Sequence, residues 1–164
     1  MSERLTWFNA LPDREAEDQL YACFADHSWA ARVASARPYH NLEALLEESE
    51  VAWAELKPGD WLHAFAAHPR IGERGGHAPA TSEREQSGVR RASARTLAAL
   101  TAENRKYEER FGHVFLIAAR GRSADDILHA MRRRMSNDPV RELEEAAGEQ
   151  RKITRMRLLE LLEN

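Results

Sequence analysis

SEREQSGVRRASARTLAALTAENRKYEERFG, residues Ser82 to Gly112, marks this chain as helical. Ser82 and Glu85 match the Ser-x-x-Glu capping box, in which a hydroxyl and a carboxylate satisfy backbone N–H groups at a helix start. Leu97, Leu100, Asn104, Tyr107 and Phe111 then recur at spacings of three and four, which places them on one helix face. Gly112 is a natural stop, because glycine enters the left-handed conformation without steric cost. The pattern predicts one long helix from Ser82 through Phe111.

Upstream of this segment the helical pattern breaks at His68-Pro69-Arg70-Ile71-Gly72-Glu73-Arg74-Gly75-Gly76-His77. A polar irregular loop between helices is where reactive groups are expected. The short stretch Trp61 to Ala67 reads as a helix carrying Trp61, Leu62 and Phe65 inward, and Pro69 ends it, so His68 sits at a helix C-terminus. Further back, Asn41 caps a helix over 42–56 with Leu42, Leu45, Leu46 and Trp53 as candidate core. Ser28 to Ala36 forms another that stops before Pro38, and Pro12 with Asp13, Glu15 and Glu17 starts the first. Residues 5–11 are mixed and receive no element.

Downstream, His113 to Ala119 is a compact apolar run, either extended or a buried helix, which periodicity does not separate; the reading leans to a helix with an irregular start. Ser123 caps a helix led by Asp125 and Asp126 and packed through Ile127, Leu128, Met131 and Met135. Asn137-Asp138-Pro139 ends it and opens the last helix, where Leu143, Ala147, Gln150, Thr154, Arg157 and Leu161 share a face. Arg157 therefore points to the core and calls for an anionic partner. Together these elements predict an all-α fold, one domain over 1–164 with about eight helices.

Composition agrees with that fold and excludes several functions. The 164 residues are 43% hydrophobic and 31% charged, rich in helix formers and poor in β-branched residues. A net charge of -3 with interspersed signs offers no nucleic-acid-binding face, although Arg132-Arg133-Arg134 is locally positive. Cys23 is the single cysteine and reads as a small buried hydrophobe. No apolar run approaches the ~20 residues of a membrane span, and Met1-Ser2-Glu3-Arg4 starts no signal peptide, so a soluble cytoplasmic protein is expected. Seven histidines invite a metal, but His63 and His68 fall on different helix faces and no His-Glu-x-x-His or cysteine pair exists; no metal site is expected. The glycines after Ile71 lack the Gly-Lys-Ser/Thr ending of a phosphate loop.

Around the central loop, an imidazole able to move protons near neutral pH stands beside a carboxylate, a hydroxyl and a primary amide. His68-Pro69-Arg70-Ile71-Gly72-Glu73, Ser82-x-x-Glu85-Gln86, Asn104-x-x-Tyr107-x-x-Arg110-Phe111-Gly112-x-x-Phe115, Gly121-Arg122-Ser123, Asn137-Asp138-Pro139 and Ile153-x-x-x-Arg157-Leu158 resemble, in order and spacing, the OHCU decarboxylase family. OHCU is 2-oxo-4-hydroxy-4-carboxy-5-ureidoimidazoline, an intermediate of urate degradation. The resemblance runs over nearly the whole chain, from Leu11-Pro12 and Arg37-Pro38-Tyr39 onward.

The resemblance implies an all-helical fold, usually a homodimer, that needs no cofactor and converts OHCU to S-allantoin with loss of carbon dioxide. It makes His68 the main acid/base and Glu85 its catalytic companion. Substrate contacts are implied for Pro69 and for Ser82, Glu83, Arg84, Glu85 and Gln86. Phe115, Leu116, Ile117, Ala118 and Ala119 supply backbone groups to the ring and ureido edges, and the late arginine of the pattern falls on Arg157. The chain departs from the family where many members have Leu-Ala or Leu-Gly after His-Pro and it has Ile71-Gly72-Glu73-Arg74, and again at Ser87-Gly88-Val89 after Gln86. Two rival readings are a helical binding module with a structural His68, and metal-assisted hydrolysis of a cyclic ureide.

Overall fold

The computed structural model describes residues 2–73 and 79–163, without the side chains of Pro79, Ala80 and Glu83. Arg74, Gly75, Gly76 and His77 of the central loop lie outside the described residues, as does Ala78. Among the described residues the chain is all-α, with ten helices and no strand. The expected eight become ten for two reasons that add three helices, while the helix expected over His113 to Ala119 does not form.

The first reason is α1 (Glu3–Ala10), over residues that carried no helical assignment. Ser2 caps it, its hydroxyl accepting the Leu5 N–H at 3.0 Å, and Leu5 and Phe8, three residues apart, are buried. The second is that Ser82 to Gly112 is not one helix. It is divided among α6 (Pro79–Glu85), α7 (Ser87–Arg90) and α8 (Ala94–Phe111). Ser82 lies inside α6 and Glu85 ends that helix, so neither caps the long one. The cap of α8 is Ser93, whose hydroxyl accepts the Thr96 N–H at 3.2 Å, and Gly112 ends α8 at φ +78° as expected.

Long-range contacts account for the interruption. Gln86 leaves helical geometry at φ -95°, ψ 17°, and its side chain accepts the Gly72 N–H at 2.8 Å. Gly88, two residues on, is pressed against the distant turn that precedes the helix starting at Ala124: a Cβ there would stand 2.2 Å from the Arg122 carbonyl oxygen. Backbone on both sides of that contact gives little room to yield. Gly88→Ala should therefore cost ~1–3 kcal/mol through overpacking. An unchanged denaturant midpoint for this variant would show that the contact relaxes freely.

The described chain divides into two compact units. One holds the residues up to Ala64 together with Lys152 onward. It contains α1, α2 (Asp13–Cys23), α3 (His27–Ser35), α4 (Leu42–Ala54), most of α5 (Pro58–Phe65) and the end of α10 (Pro139–Leu162). Asp26 and Asn41 cap α3 and α4 by accepting the Trp29 and Ala44 N–H groups at 2.8 and 2.9 Å. Ala16, Leu20, Phe24, Trp29 and Leu45 are among its core residues. Cys23 is buried, as its apolar setting predicts. Helix α5 begins at Pro58, not Trp61, because Pro58 suits the first helical position and Asp60 accepts the Lys57 N–H at 2.9 Å. In this register Leu62 is 41% exposed, which corrects the inward position expected for it.

The other unit runs from Phe65 to Arg151 and contains α6, α7, α8, α9 (Ala124–Arg134) and the first half of α10. Leu100 and Tyr107 of α8 and Ile127 and Met131 of α9 form its core with Phe115. Ser123 and Asp126 complete a capping box at the head of α9, and the Ser123 N–H and hydroxyl hold the Asp126 carboxyl below its ordinary range. Asp138 accepts the Arg141 N–H at 3.0 Å where α10 begins at Pro139.

Candidate active site

His68 stands three residues beyond α5, which ends at Phe65 and not at Ala67, and its N–H donates to the Phe65 carbonyl at 3.1 Å. The ring is half-buried. Its Nε2 lies 2.7 Å from Oε1 of Gln150, a fully buried residue of α10. The backbone that follows is held from two further directions. Asn104 of α8 donates from Nδ2 to the Ile71 carbonyl at 3.1 Å, and Gln86 accepts the Gly72 N–H. Arg70 forks onto Glu108 of α8 at 2.7 and 3.1 Å, a bidentate pair at the surface. Gly72 adopts φ +91°, a left-handed conformation that a side chain would strain. The first half of the loop is thus clamped, through residues far away in sequence.

The polar residues of α6 and its exit turn are buried: Ser82, Glu85 and Gln86 are each no more than 9% exposed. Buried polar groups in this number, on a short helix, are costly unless they are paired with each other or with a ligand. Gln86 joins them to the His68 loop through Gly72. Arg84 is exposed and donates to the Thr81 hydroxyl at 3.2 Å, and Pro69 is half-buried. The Glu83 side chain is outside the described residues.

Phe115 to Ala119 forms neither helix nor strand, which corrects the lean to a helix. Phe115, Leu116, Ile117 and Ala119 are all buried, so the run is apolar because it is covered on more than one side. Two of its backbone groups are met by side chains, and the Ala119 carbonyl by the Arg122 N–H of the turn that follows. Glu149 of α10 accepts the Ala118 N–H at 3.1 Å, and Arg134 of α9 donates Nη1 to the Leu116 carbonyl at 2.7 Å. Adjacent residues of α10, Glu149 and Gln150, therefore hold the segment from Phe115 to Ala119 and the His68 ring.

Behind that segment lies a buried charge network. Arg134 and Glu142 are 1% and 0% exposed, with Nη2 to Oε2 at 2.6 Å and Nε to Oε2 at 3.0 Å. Asn137 donates to Glu142 Oε1 at 3.0 Å, the Tyr107 hydroxyl donates to Oε2, and the Arg134 guanidinium stacks 4.3 Å over the Phe115 ring. Burial above all, with the Glu142 bond next, pushes the Tyr107 phenol far above its ordinary range, so it stays a donor.

Arg157 belongs to the other unit, where it is 3% exposed and its Nη1 donates to the Cys23 carbonyl at 3.4 Å. The inward side of α10 that the spacing predicted is correct for Gln150, Thr154 and Arg157. Sequence reading missed the roles of Gln150, Glu149, Arg134 and Glu142. A signal existed for Arg134, which continues the Ile127, Met131 face of α9 at a spacing of three, although its charge placed it with the surface arginines.

Among the described residues no group of His, Cys, Asp and Glu has the arrangement to hold a metal ion. None of their helices is long and apolar enough to cross a membrane. A cleft of about 650 Å³ opens at the heads of α8 and α9, lined by Gly88, Arg91, Ser93, Arg122 and Ser123 among others. It contains none of the residues that the resemblance implied.

The model of the family described as OHCU decarboxylase matches residues 9–159. A 2-oxo-4-hydroxy-4-carboxy-5-ureidoimidazoline decarboxylase of Haloferax volcanii is 30% identical over 158 residues, 93% of this chain and 92% of that protein. The Mus musculus protein of the same name is 35% identical over 139 residues, 81% of this chain and 78% of that protein. The uric acid degradation bifunctional protein TTL of Arabidopsis thaliana is 32% identical over 151 residues, which is 88% of this chain but 47% of that protein. The chain thus spans about half the length of that relative, and 32% of a bifunctional relative from a Bacillus species. A crystal structure of OHCU decarboxylase in the presence of (S)-allantoin superposes with a TM-score of 0.78 at 32% identity, covering 90% of this chain and 99% of that one. With the family model matching residues 9–159 of this chain and these relatives at 30% identity and above, this chain belongs to the OHCU decarboxylase family.

Proposed function

We propose that this chain decarboxylates OHCU to S-allantoin without a cofactor. The observation that carries the reading is the clamped loop: His68 is held by a buried amide, and the same loop is tied through Gly72 to the buried Ser82, Glu85 and Gln86 group. A pre-positioned imidazole beside buried polar side chains is what acid/base work on a small polar ring requires.

The chemistry follows from the substrate. When the carboxylate leaves as carbon dioxide, its bonding pair stays on the ring carbon and is taken up through the adjacent ring C=N. The hydroxyl on that carbon loses its proton as it becomes the carbonyl of allantoin, while the neighbouring carbon and the ring nitrogen each gain one. Overall one proton is consumed. In this reading Glu85 takes the hydroxyl proton and His68 delivers a proton to one face of the neighbouring, ureido-bearing ring carbon, which sets the configuration. Ser82, Gln86 and the backbone of Phe115 to Ala119 hold the amide-rich ring as charge develops on it. The family's usual homodimer and a cytoplasmic setting go with this reading, and the first is checked by mass in solution.

Because OHCU decays unaided to racemic allantoin, chirality is the telling measurement. Circular dichroism of freshly generated OHCU mixed with the protein should show S-allantoin accumulating in excess. A racemic product formed at the uncatalysed rate would overturn the proposal.

A further inference from the structure

We propose that Gln150 is a positioning residue that keeps His68 in the tautomer protonated on Nε2, so that Nδ1 is the nitrogen at which the working proton is gained and lost. The inference rests on the decarboxylase reading for its kinetic part, and on geometry alone for its tautomer part.

The amide oxygen of Gln150 stands 2.7 Å from Nε2 of His68, a short hydrogen bond for a nitrogen donor. A carbonyl oxygen only accepts, so Nε2 must carry hydrogen to make this bond. Two states of the ring satisfy that condition, the imidazolium and the neutral ring protonated on Nε2. The two differ by a proton on Nδ1 alone. The Gln150 bond therefore survives a full cycle of proton transfer at Nδ1, whereas in the other neutral tautomer it would form only if the amide turned over to present its NH2. Gln150 is fully buried, so its amide is fixed in place as the acceptor for Nε2.

The choice of an amide has a consequence of its own. A carboxylate at the same place would also accept from Nε2, but its charge would favour the imidazolium and oppose proton release. A neutral amide orients the ring without that bias, which suits a group that must give a proton to carbon and recover it in each turnover. The carboxylate next in sequence, Glu149, is instead engaged by the Ala118 N–H. The division of labour along α10 thus puts the neutral acceptor on the imidazole and the charged one on backbone.

The test is long-range nitrogen–proton NMR of the uniformly nitrogen-15-labelled protein, with His68 signals identified by their loss in His68→Gln. The expected pattern at a pH where the ring is neutral is a protonated Nε2 and an unprotonated Nδ1. In Gln150→Leu that pattern should shift toward a mixture of tautomers, while Gln150→Glu, which keeps the acceptor, should retain it. On OHCU, Gln150→Leu should lower kcat by roughly tenfold to a hundredfold with little change in KM, as expected when a reacting group is misoriented and binding is intact. A ring protonated on Nδ1 in the unaltered protein overturns the inference even if Gln150→Leu fails to fold, and so does an unmoved pattern in a folded Gln150→Leu. If the unaltered protein shows the Nε2 tautomer but no turnover of OHCU, the decarboxylase reading fails and the tautomer assignment stands.

Discussion

His68→Asn should lower kcat for OHCU by ~100-fold or more, the scale of help that a well-placed general acid/base supplies. Asparagine is smaller and gives up the Nε2 contact with Gln150, but the loop is clamped independently by Asn104, Gln86 and Glu108 and should keep its shape. The loss should then fall on kcat and leave KM within a few fold, the mark of an interaction made in the transition state and not in the ground state. The product stereochemistry sharpens the result. If proton delivery to one face is the step removed, the allantoin formed by the variant should approach the racemic composition of the uncatalysed reaction. Near-normal turnover, measured within the lifetime of fresh OHCU, would remove His68 from the chemistry and favour a structural imidazole on the Gln150 amide.

Glu142→Ala should be the most damaging single change to stability in the unit from Phe65 to Arg151, costing ~3–5 kcal/mol. The cost comes less from the lost attraction than from what is left behind. Arg134, at 1% exposure, would keep a full charge with its main partner gone, and Tyr107 and Asn137 would each lose an acceptor. Glu145 lies 3.2 Å from the Arg134 Nε but is also engaged by Arg133, which holds its carboxyl below the ordinary range, so it compensates only in part. Such a loss should lower the melting temperature by about 10 °C or more in a chain of this size. Arg134→Met together with Glu142→Leu should cost much less than the sum of the two single changes, because the burden lies in the unpaired partner. Additive losses in that cycle would show that the two residues act separately. Activity should fall as well, since Arg134 also holds the Leu116 carbonyl at 2.7 Å and with it the segment from Phe115 to Ala119.

These two residues illustrate how unevenly the site was written in the chain. His68 was legible because proline follows it, and proline acts on its immediate neighbours. Ser82, Glu85 and Gln86 were legible as a polar cluster, but the capping-box reading gave two of them the wrong local task. A Ser-x-x-Glu pattern states that a cap is available, and Ser93, eleven residues later, was the serine that served. Deciding between them required the contact of Gly88 with the Arg122 backbone, 34 residues away in sequence. The partners of the reactive groups were harder still. Gln150 was placed on the inner face of the last helix by spacing alone, yet nothing in that spacing says that it meets a ring 82 residues earlier.

The amino-acid sequence by itself determined the all-helical class and the helix limits set by near neighbours: Asn41 on Ala44, Ser123 with Asp126, Asp138 before Pro139, and Gly112 as a stop. Each of these is made within about one turn of chain, so residue order is enough to specify it. Tertiary structure alone decided that Ser82 to Gly112 is three helices, that Phe115 to Ala119 is not a helix, and that Arg134 is buried while Arg133 beside it is not. The physical reason is common to all three. Whether a backbone group or a charge can be withdrawn from water depends on the partner that meets it there, and those partners, Gln86 for Gly72, Glu149 for Ala118 and Glu142 for Arg134, come from other elements of the fold.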